Sequence, residues 1–333
     1  MSRHRPGIFV ISLAVLGFGV GTAVATPPKG VTRTDLGRST IAEPITAKAT
    51  EASDLVMHKV TFEPGATNGW HSHPGPVFVT VKSGSFTLHK GDASGCTAQT
   101  FTTGQGFFEP PNAVHLGRNE GSEPFEGLVT YLAVPVGGEL FKTEANPGGA
   151  DCPSVSASAT GIARTDLARA AVAEPISVDA KEASDMAIQT LAWEPDSTGG
   201  WHHHPAATFV AVKSGTLTLY HGDANGCTSQ TYTAGQGFLE PADDVHVNRN
   251  EGSTPVELYV TFLAAPVGAA LRVDEQNPGG ANCPDPNPVE QTALEGASQL
   301  PRTGAAGPAG LLAALGVGLA AAGITTCVVA RRR

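Results

Sequence analysis

Positive charge is scarce in this chain. Its 333 residues carry 21 Lys+Arg against 31 Asp+Glu, a formal net charge of −10. Such a surface repels phosphate backbones, which excludes nucleic acid as a partner, and no polybasic patch offers itself to a membrane face. A sustained helical period is also missing between residue 26 and residue 299, so a helix bundle is excluded. No two cysteines have the close spacing of a structural zinc site. No twin-arginine pair stands near the start, so export of a prefolded chain is not expected.

What is present is said twice. Residues 30–153 recur at 161–284 with a constant offset of 131 and no insertion or deletion. GWHSHP at Gly69 to Pro74 returns as GWHHHP at Gly200 to Pro205, and GQGFFEP at Gly104 to Pro110 returns as GQGFLEP at Gly235 to Pro241. Each unit is about 125 residues, an ordinary domain size. Within a unit, β-branched and aromatic runs such as Val77–Lys82 and Phe125–Val134 are punctuated by glycine and proline every eight to twelve residues. That pattern predicts an all-β fold, two antiparallel sandwiches or barrels in tandem. Only Asp35 to Ala52 and its partner Asp166 to Ala183 leave room for a short helix, against which Pro44 and Pro175 argue.

The expected organisation is a signal peptide at 1–25, a first domain at 26–153, a linker at 154–160, a second domain at 161–284 and a polar linker at 285–299. The signal reading rests on Arg3 and Arg5, the apolar run Ile8 to Val20 and the small residues Ala23, Val24 and Ala25. LPRTG follows at 300–304, then an uncharged stretch at 305–330 long enough to cross a bilayer, then a basic tail at 331–333. This tripartite ending resembles the LPxTG-type sorting signal of Gram-positive surface proteins. The resemblance implies a sortase as partner, cleavage between Thr303 and Gly304, and covalent attachment to peptidoglycan after a membrane-held precursor stage. Losing both ends removes five of the 21 Lys+Arg and none of the 31 Asp+Glu, taking the net charge from −10 to −15.

Cysteine repeats too: Cys96 and Cys152 lie 56 apart, as do Cys227 and Cys283, while Cys327 sits in the tail. An exported chain with one pair per unit invites one disulfide in each, although arithmetic alone also permits pairing across the units.

Three histidines occupy matched positions in each unit, His71, His73 and His115, then His202, His204 and His246. Residues two apart on a strand face one side, so each HxH pair points together and a third histidine from another strand can complete one face of a metal ion. Neutral imidazole suits Zn, Mn, Fe, Cu or Ni. Trp70 and Trp201 beside each pair are expected to wall the site, whereas His58, His89 and His221 read as surface or turn residues and His203 as solvent-facing.

At these residues the chain resembles the cupin superfamily. That family's first motif, G-x5-H-x-H-x3-E-x6-G, falls on Gly65, His71, His73 and Gly84, and its second, G-x5-P-x-G-x2-H-x3-N, on Gly104, Pro110, His115 and Asn119. The second unit matches at His202, His204, Gly215, Gly235, Pro241, His246 and Asn250. The resemblance implies a bicupin: two double-stranded β-helix (jelly-roll) domains, each with a divalent metal inside. Departures are as informative. Val77 and Thr208 stand where the family has its glutamate ligand, which removes a charge and puts glutamate-dependent chemistry in doubt. Asp196, Asn112 and Asp243 replace motif glycines, and all three types tolerate left-handed turns. Glu109 and Glu240, each directly before the second-motif proline, are candidate extra ligands if they reach inward and rim carboxylates if they do not. No repeated Arg, Lys or Tyr within the motifs serves as an obvious acid or base. The expected function is a wall-anchored metal-binding bicupin, an oxygenase or lyase of a small molecule, with a non-catalytic metal- or carbohydrate-binding wall protein as the alternative.

Overall fold

The computed structural model describes residues 25–92, 94–149, 151–154, 161–223 and 225–284. Residues 1–24, most of the linker at 154–160, and everything from 285 onward, including Thr303 and Gly304, lie outside the described residues. Among the described residues every regular element is a strand, as the alternating pattern requires. Both repeats fall within one compact unit.

Each repeat folds as two sheets facing each other. In the first, the strands Thr67–Ser72, His115–Arg118, Ser85–Asp92 and Gly95–Thr102 make one wall, with Lys142–Thr143 at its edge. Gln105–Glu109, Val77–Ser83, Phe125–Pro135 and Ser53–Phe62 make the other. Phe62, Phe86, Phe107 and Phe125 fill the space between them. Trp193, Leu217, Phe238 and Val256 do so at the same positions of the second repeat. Tight turns close the hairpins: Gly84 adopts φ +75°, and a Cβ there would meet the Pro124 carbonyl at 2.5 Å. Asn112, Asp196 and Asp243 take φ of 59°, 57° and 62°, so the residues that replace motif glycines keep the left-handed turn.

The two segments that left room for a short helix form strands, as Pro44 and Pro175 argued. Asp35 to Ala52 belongs to the strands Lys29–Ile41 and Ile45–Ala49, and Asp166 to Ala183 to Ile162–Val172 and Ile176–Ala180. The cause is pairing outside the repeat. Lys29–Ile41 runs antiparallel to Ser184–Thr198 of the second repeat, from Val31 opposite Trp193 to Ile41 opposite Ser184. Ile162–Val172 does the same against Ser53–Phe62 of the first. Each opening strand pairs with its own repeat only at its end, in parallel, at Thr40 opposite Gln105 and Ala171 opposite Gln236. The repeats thus exchange their first strands.

A local two-fold relates the two halves. Ile45–Ala49 pairs with Ile176–Ala180, centred on Ala47 opposite Val178, which are the same position of the two copies. Thr130 and Thr261, again equivalent, bring their hydroxyls to 3.2 Å. An isologous contact of this kind uses one patch against itself. Beneath it lies a shared apolar core in which Ile41, Met57 and Phe78 pack with Val172, Met186 and Phe209. Two matched ion pairs cross the boundary, Arg38 to Asp185 at 2.7 Å and Arg169 to Asp54 at 2.6 Å, each on a buried carboxylate. Truncating either arginine would leave that charge unpaired, which costs several times what a surface pair contributes.

Disulfides join Cys96 to Cys152 and Cys227 to Cys283, within repeats and not across them. Trp201 packs against Cys227 and Val247 on the far side of the strand from the histidines, and Trp70 donates to the Pro153 carbonyl. The expectation that Trp201 walls the site is therefore corrected: a residue next to an inward histidine on a strand must face outward. His58 and His89 are corrected likewise, from surface to buried.

Candidate metal centres, one in each repeat

His71 lies on the strand Thr67–Ser72 and His73 just after it, where the alternation turns both rings inward while Ser72 turns away to Glu144. His115 opens the neighbouring strand and stands directly opposite His71. In the second repeat His202 and His246 face each other in the same way. The candidate ligand atoms of each trio lie within 4.8 Å of one another. All six rings are at most 6% exposed.

One side of every ring is committed. The Nδ1 atoms of His71, His73 and His115 lie 2.8, 2.7 and 2.9 Å from the carbonyls of Gly69, Leu140 and Ala113. Those of His202, His204 and His246 lie 2.8, 2.6 and 2.9 Å from the carbonyls of Gly200, Leu271 and Asp244. A carbonyl only accepts, so Nδ1 carries the proton in all six and Nε2 is left with a lone pair. Backbone bonds of this kind fix ring orientation and tautomer around a metal.

A carboxylate joins each trio. Glu109 is 5% exposed and Glu240 1% exposed. Glu109 sets its oxygens 3.3 Å from His73 Nε2 and 3.4 Å from His115 Nε2. Glu240 stands 3.3 Å from His204 Nε2 and 3.2 Å from His246 Nε2. Both point inward rather than along the rim. Register explains how. Glu109 pairs with Val77, and Glu240 with Thr208, across neighbouring strands. Val77 and Thr208 are the positions left empty by the absent motif glutamate. Directly opposed residues share a face, with Cβ atoms about 5 Å apart. The carboxylate has moved one strand sideways and still enters the same cavity.

The electrostatics are tightly coupled. Burial alone would raise Glu109, but His115 and His73 outweigh it and hold its carboxyl well below the ordinary range. Glu240 behaves alike under His246 and His204. Burial opposes charge on His115 and His246, yet the adjacent glutamate lifts both above the usual imidazole value. His71 is pushed down to about 3, first by burial and then by His115 and His73. His115 Nε2 and His246 Nε2 are buried and make no hydrogen bond. A dense, neutral-nitrogen and carboxylate donor set with committed second sides fits a divalent ion.

Beyond the cage the two cavities part company. Tyr131 packs edge-on to His73 at 5.5 Å between ring centres, and Phe262 replaces it against His204 at 5.2 Å. Burial, and then Glu109, push the Tyr131 phenol above its ordinary value. His58 lies against Tyr131 and 3.2 Å from Asp166, whereas Gln189 at the matching place donates to Asp35. The cavity at the first cage measures about 60 Å³ and lies beside a cleft of about 600 Å³ lined by Phe141 and Arg164; the cavity at the second measures about 80 Å³ and is lined by Arg33 and Arg272. Arg33 and Arg164 are the repeated basic pair that the motifs lacked. They sit on the exchanged strands, each serving the other repeat's cavity, and only their equivalence at an offset of 131 marks them in the sequence.

Residues 58–131 and 190–262 match the model of the cupin domain family, each segment carrying one full trio. No curated protein matches the chain in sequence. Among solved structures it is similar to oxalate decarboxylase from Bacillus subtilis at pH 4.6, with 12% identity over 73% of this chain and 78% of that one and a TM-score of 0.31. It is also similar to the formate complex of Lactobacillus farciminis oxalate decarboxylase, with 13% identity over 73% and 88% and a TM-score of 0.32. Likeness at this level bears on neither ligand nor reaction.

Proposed function

We propose that this chain is an exported, wall-anchored bicupin that holds one divalent metal ion in each repeat through three histidines and one glutamate. His71, His73, His115 and Glu109 form the first cage, and His202, His204, His246 and Glu240 the second. The observation that carries the reading is the commitment of all six Nδ1 atoms to backbone carbonyls, which leaves six Nε2 lone pairs and two carboxylates converging on two points. A divalent ion there would supply Lewis acidity at neutral pH. Around it this chain offers a wide cleft over the first cage, where Tyr131, Phe141 and Arg164 face a small organic ligand, and a cavity of about 80 Å³ at the second.

Metal analysis of purified residues 26–303, beside a His71→Ala, His73→Ala version, tests this. Two equivalents in the parent and one in the variant are expected. Less than a tenth of an equivalent in the parent contradicts it. The address is supported by the ordered ending LPRTG, apolar stretch and basic tail, and by the basic, apolar and small-residue start. Peptidoglycan-linked peptides ending at Thr303, absent from a Leu300→Ala, Pro301→Ala strain, are the expected finding.

A further inference from the structure

The second cavity contains more fixed positive charge than its cage accounts for. Arg272 occupies the position of Phe141, just ahead of the strand Val273–Asp274. Its side chain is 17% exposed, with Nε donating to Asp274 at 2.7 Å and Nη2 to the Gly199 carbonyl at 2.7 Å. Gly199 stands where the first repeat has Asn68. Arg33 enters from the exchanged strand Lys29–Ile41 and lines the same cavity. Among the described residues its guanidinium has no ion-pair or hydrogen-bond partner. Burial depresses Arg272, and the nearby Arg33 depresses it further, against Asp274 and Glu240. Asn248 adds a buried Oδ1 with no partner. Gln189, Glu240 and the cage histidines His202 and His204 also line it, and the remainder, such as Leu191, Val260 and Phe262, is apolar.

Arg272 is held by Asp274, but Arg33 brings a guanidinium with no partner among the described residues into the same cavity, where an anion reached by both would satisfy it. Planar forked donors match a planar carboxylate in geometry as well as charge. A volume of about 80 Å³ admits roughly five to eight water-sized groups, which suits an acid of a few heavy atoms. The first cavity lacks this arrangement. Phe141 replaces Arg272, and Arg164 is already 3.3 Å from Asp166.

We infer that the two cavities sort ligands by charge: the second binds one small carboxylate, clamped by Arg33 and Arg272 from both repeats, and the first does not. The inference deepens the proposed function by naming a ligand class, and rests on the metal reading only for whatever the carboxylate meets at the cage.

Calorimetric titration of the purified chain with acetate, with metal content measured on the same samples, tests it. One acetate per chain is expected, with affinity falling at least tenfold in Arg33→Gln and in Arg272→Gln. Arg33→Lys should recover part of the loss, and Arg164→Gln should stay within twofold of the parent. Acetamide, equal in size but uncharged, should not bind. Unchanged metal content and unfolding temperature in Arg33→Gln would show that the cage and fold are intact. Acetate binding by a chain that holds no metal would sustain the inference while removing the metal reading. Two acetates per chain, sulfate binding tighter than acetate, or full affinity in Arg33→Gln would overturn it.

Discussion

The first and second repeats agree at the cage and disagree around it. Three histidines, their three backbone acceptors and one glutamate are the same in both. The walls differ by linked exchanges that keep volume. Phe62 with Asn68 becomes Trp193 with Gly199, and a Cβ on Gly199 would meet the Trp193 ring at 3.0 Å. Phe86 with Gly117 becomes Leu217 with Asn248, and a Cβ on Gly117 would meet Phe86 at 2.2 Å. A larger ring on one strand has gone with a smaller residue on its neighbour, as dense packing demands. The exchanges are not neutral for the site. Asn248 donates to Glu240 at 2.7 Å, while Asn68 instead accepts from the Gly117 amide at 2.7 Å and leaves Glu109 without such a tether. One cage is thereby braced; the other has a phenol beside it and a wide cleft above it. Geometry fixes the ion in both, and the walls decide what reaches it.

The comparison can be broken from its strongest point downward. Removing both histidines of one HxH pair should empty that cage and leave the other full, so His202→Ala, His204→Ala retains one metal equivalent, read by mass spectrometry of the purified chain. Loss of both equivalents would show that the repeats are not independent sites. Next come the disulfides. Each closes a loop of 56 residues, so Cys96→Ser, Cys152→Ser and Cys227→Ser, Cys283→Ser should each cost about 4 kcal/mol in urea unfolding, and equally. A marked inequality would mean that one repeat draws its stability elsewhere.

A smaller effect separates His58 from Gln189. Burial, then Arg164, lower His58 to about 4, with Asp166 opposing and Arg169 adding to the fall; the neighbouring Tyr131 ring is uncharged. A histidine depressed in the folded state binds its proton more readily when unfolded. Its contribution is therefore complete above about pH 6.5 and is lost as pH falls toward 4, roughly 2–3 kcal/mol in all. His58→Gln, copying the second repeat, should flatten the stability of the chain between pH 7.5 and 4.5, and an unchanged slope would refute that origin. The smallest difference expected is in tethering. Asn248→Ala should weaken metal binding in the second cage about tenfold, as loss of an outer-shell bond does elsewhere, while Asn68→Ala leaves the first within about twofold.

Much of this was legible in the sequence. The offset of 131, the trio and the hairpin turns required only pattern, since inward histidines follow from a period of two. Glu109 could not be decided that way. Whether it faces in or out depends on its pairing with Val77, a register that no local signal carries. The strand exchange was hidden for a related reason. Lys29–Ile41 finds its partner some 150 residues away, and nothing local before Pro44 forbids a short helix. Arg33 and Arg272 lie in different repeats, and only that exchange brings them into one cavity. His58 misled because it has no histidine counterpart in the second repeat, where Gln189 stands, and its burial comes from the opening strand of the other repeat.

X-ray absorption at the edge of the bound metal, on the purified chain at neutral pH, tests the cages most directly. The account predicts two ions per chain, each with three imidazole nitrogens and a carboxylate oxygen at about 2.0–2.2 Å, and loss of the oxygen shell in the Glu109→Gln, Glu240→Gln variant. Ions without imidazole in their first shell would contradict it.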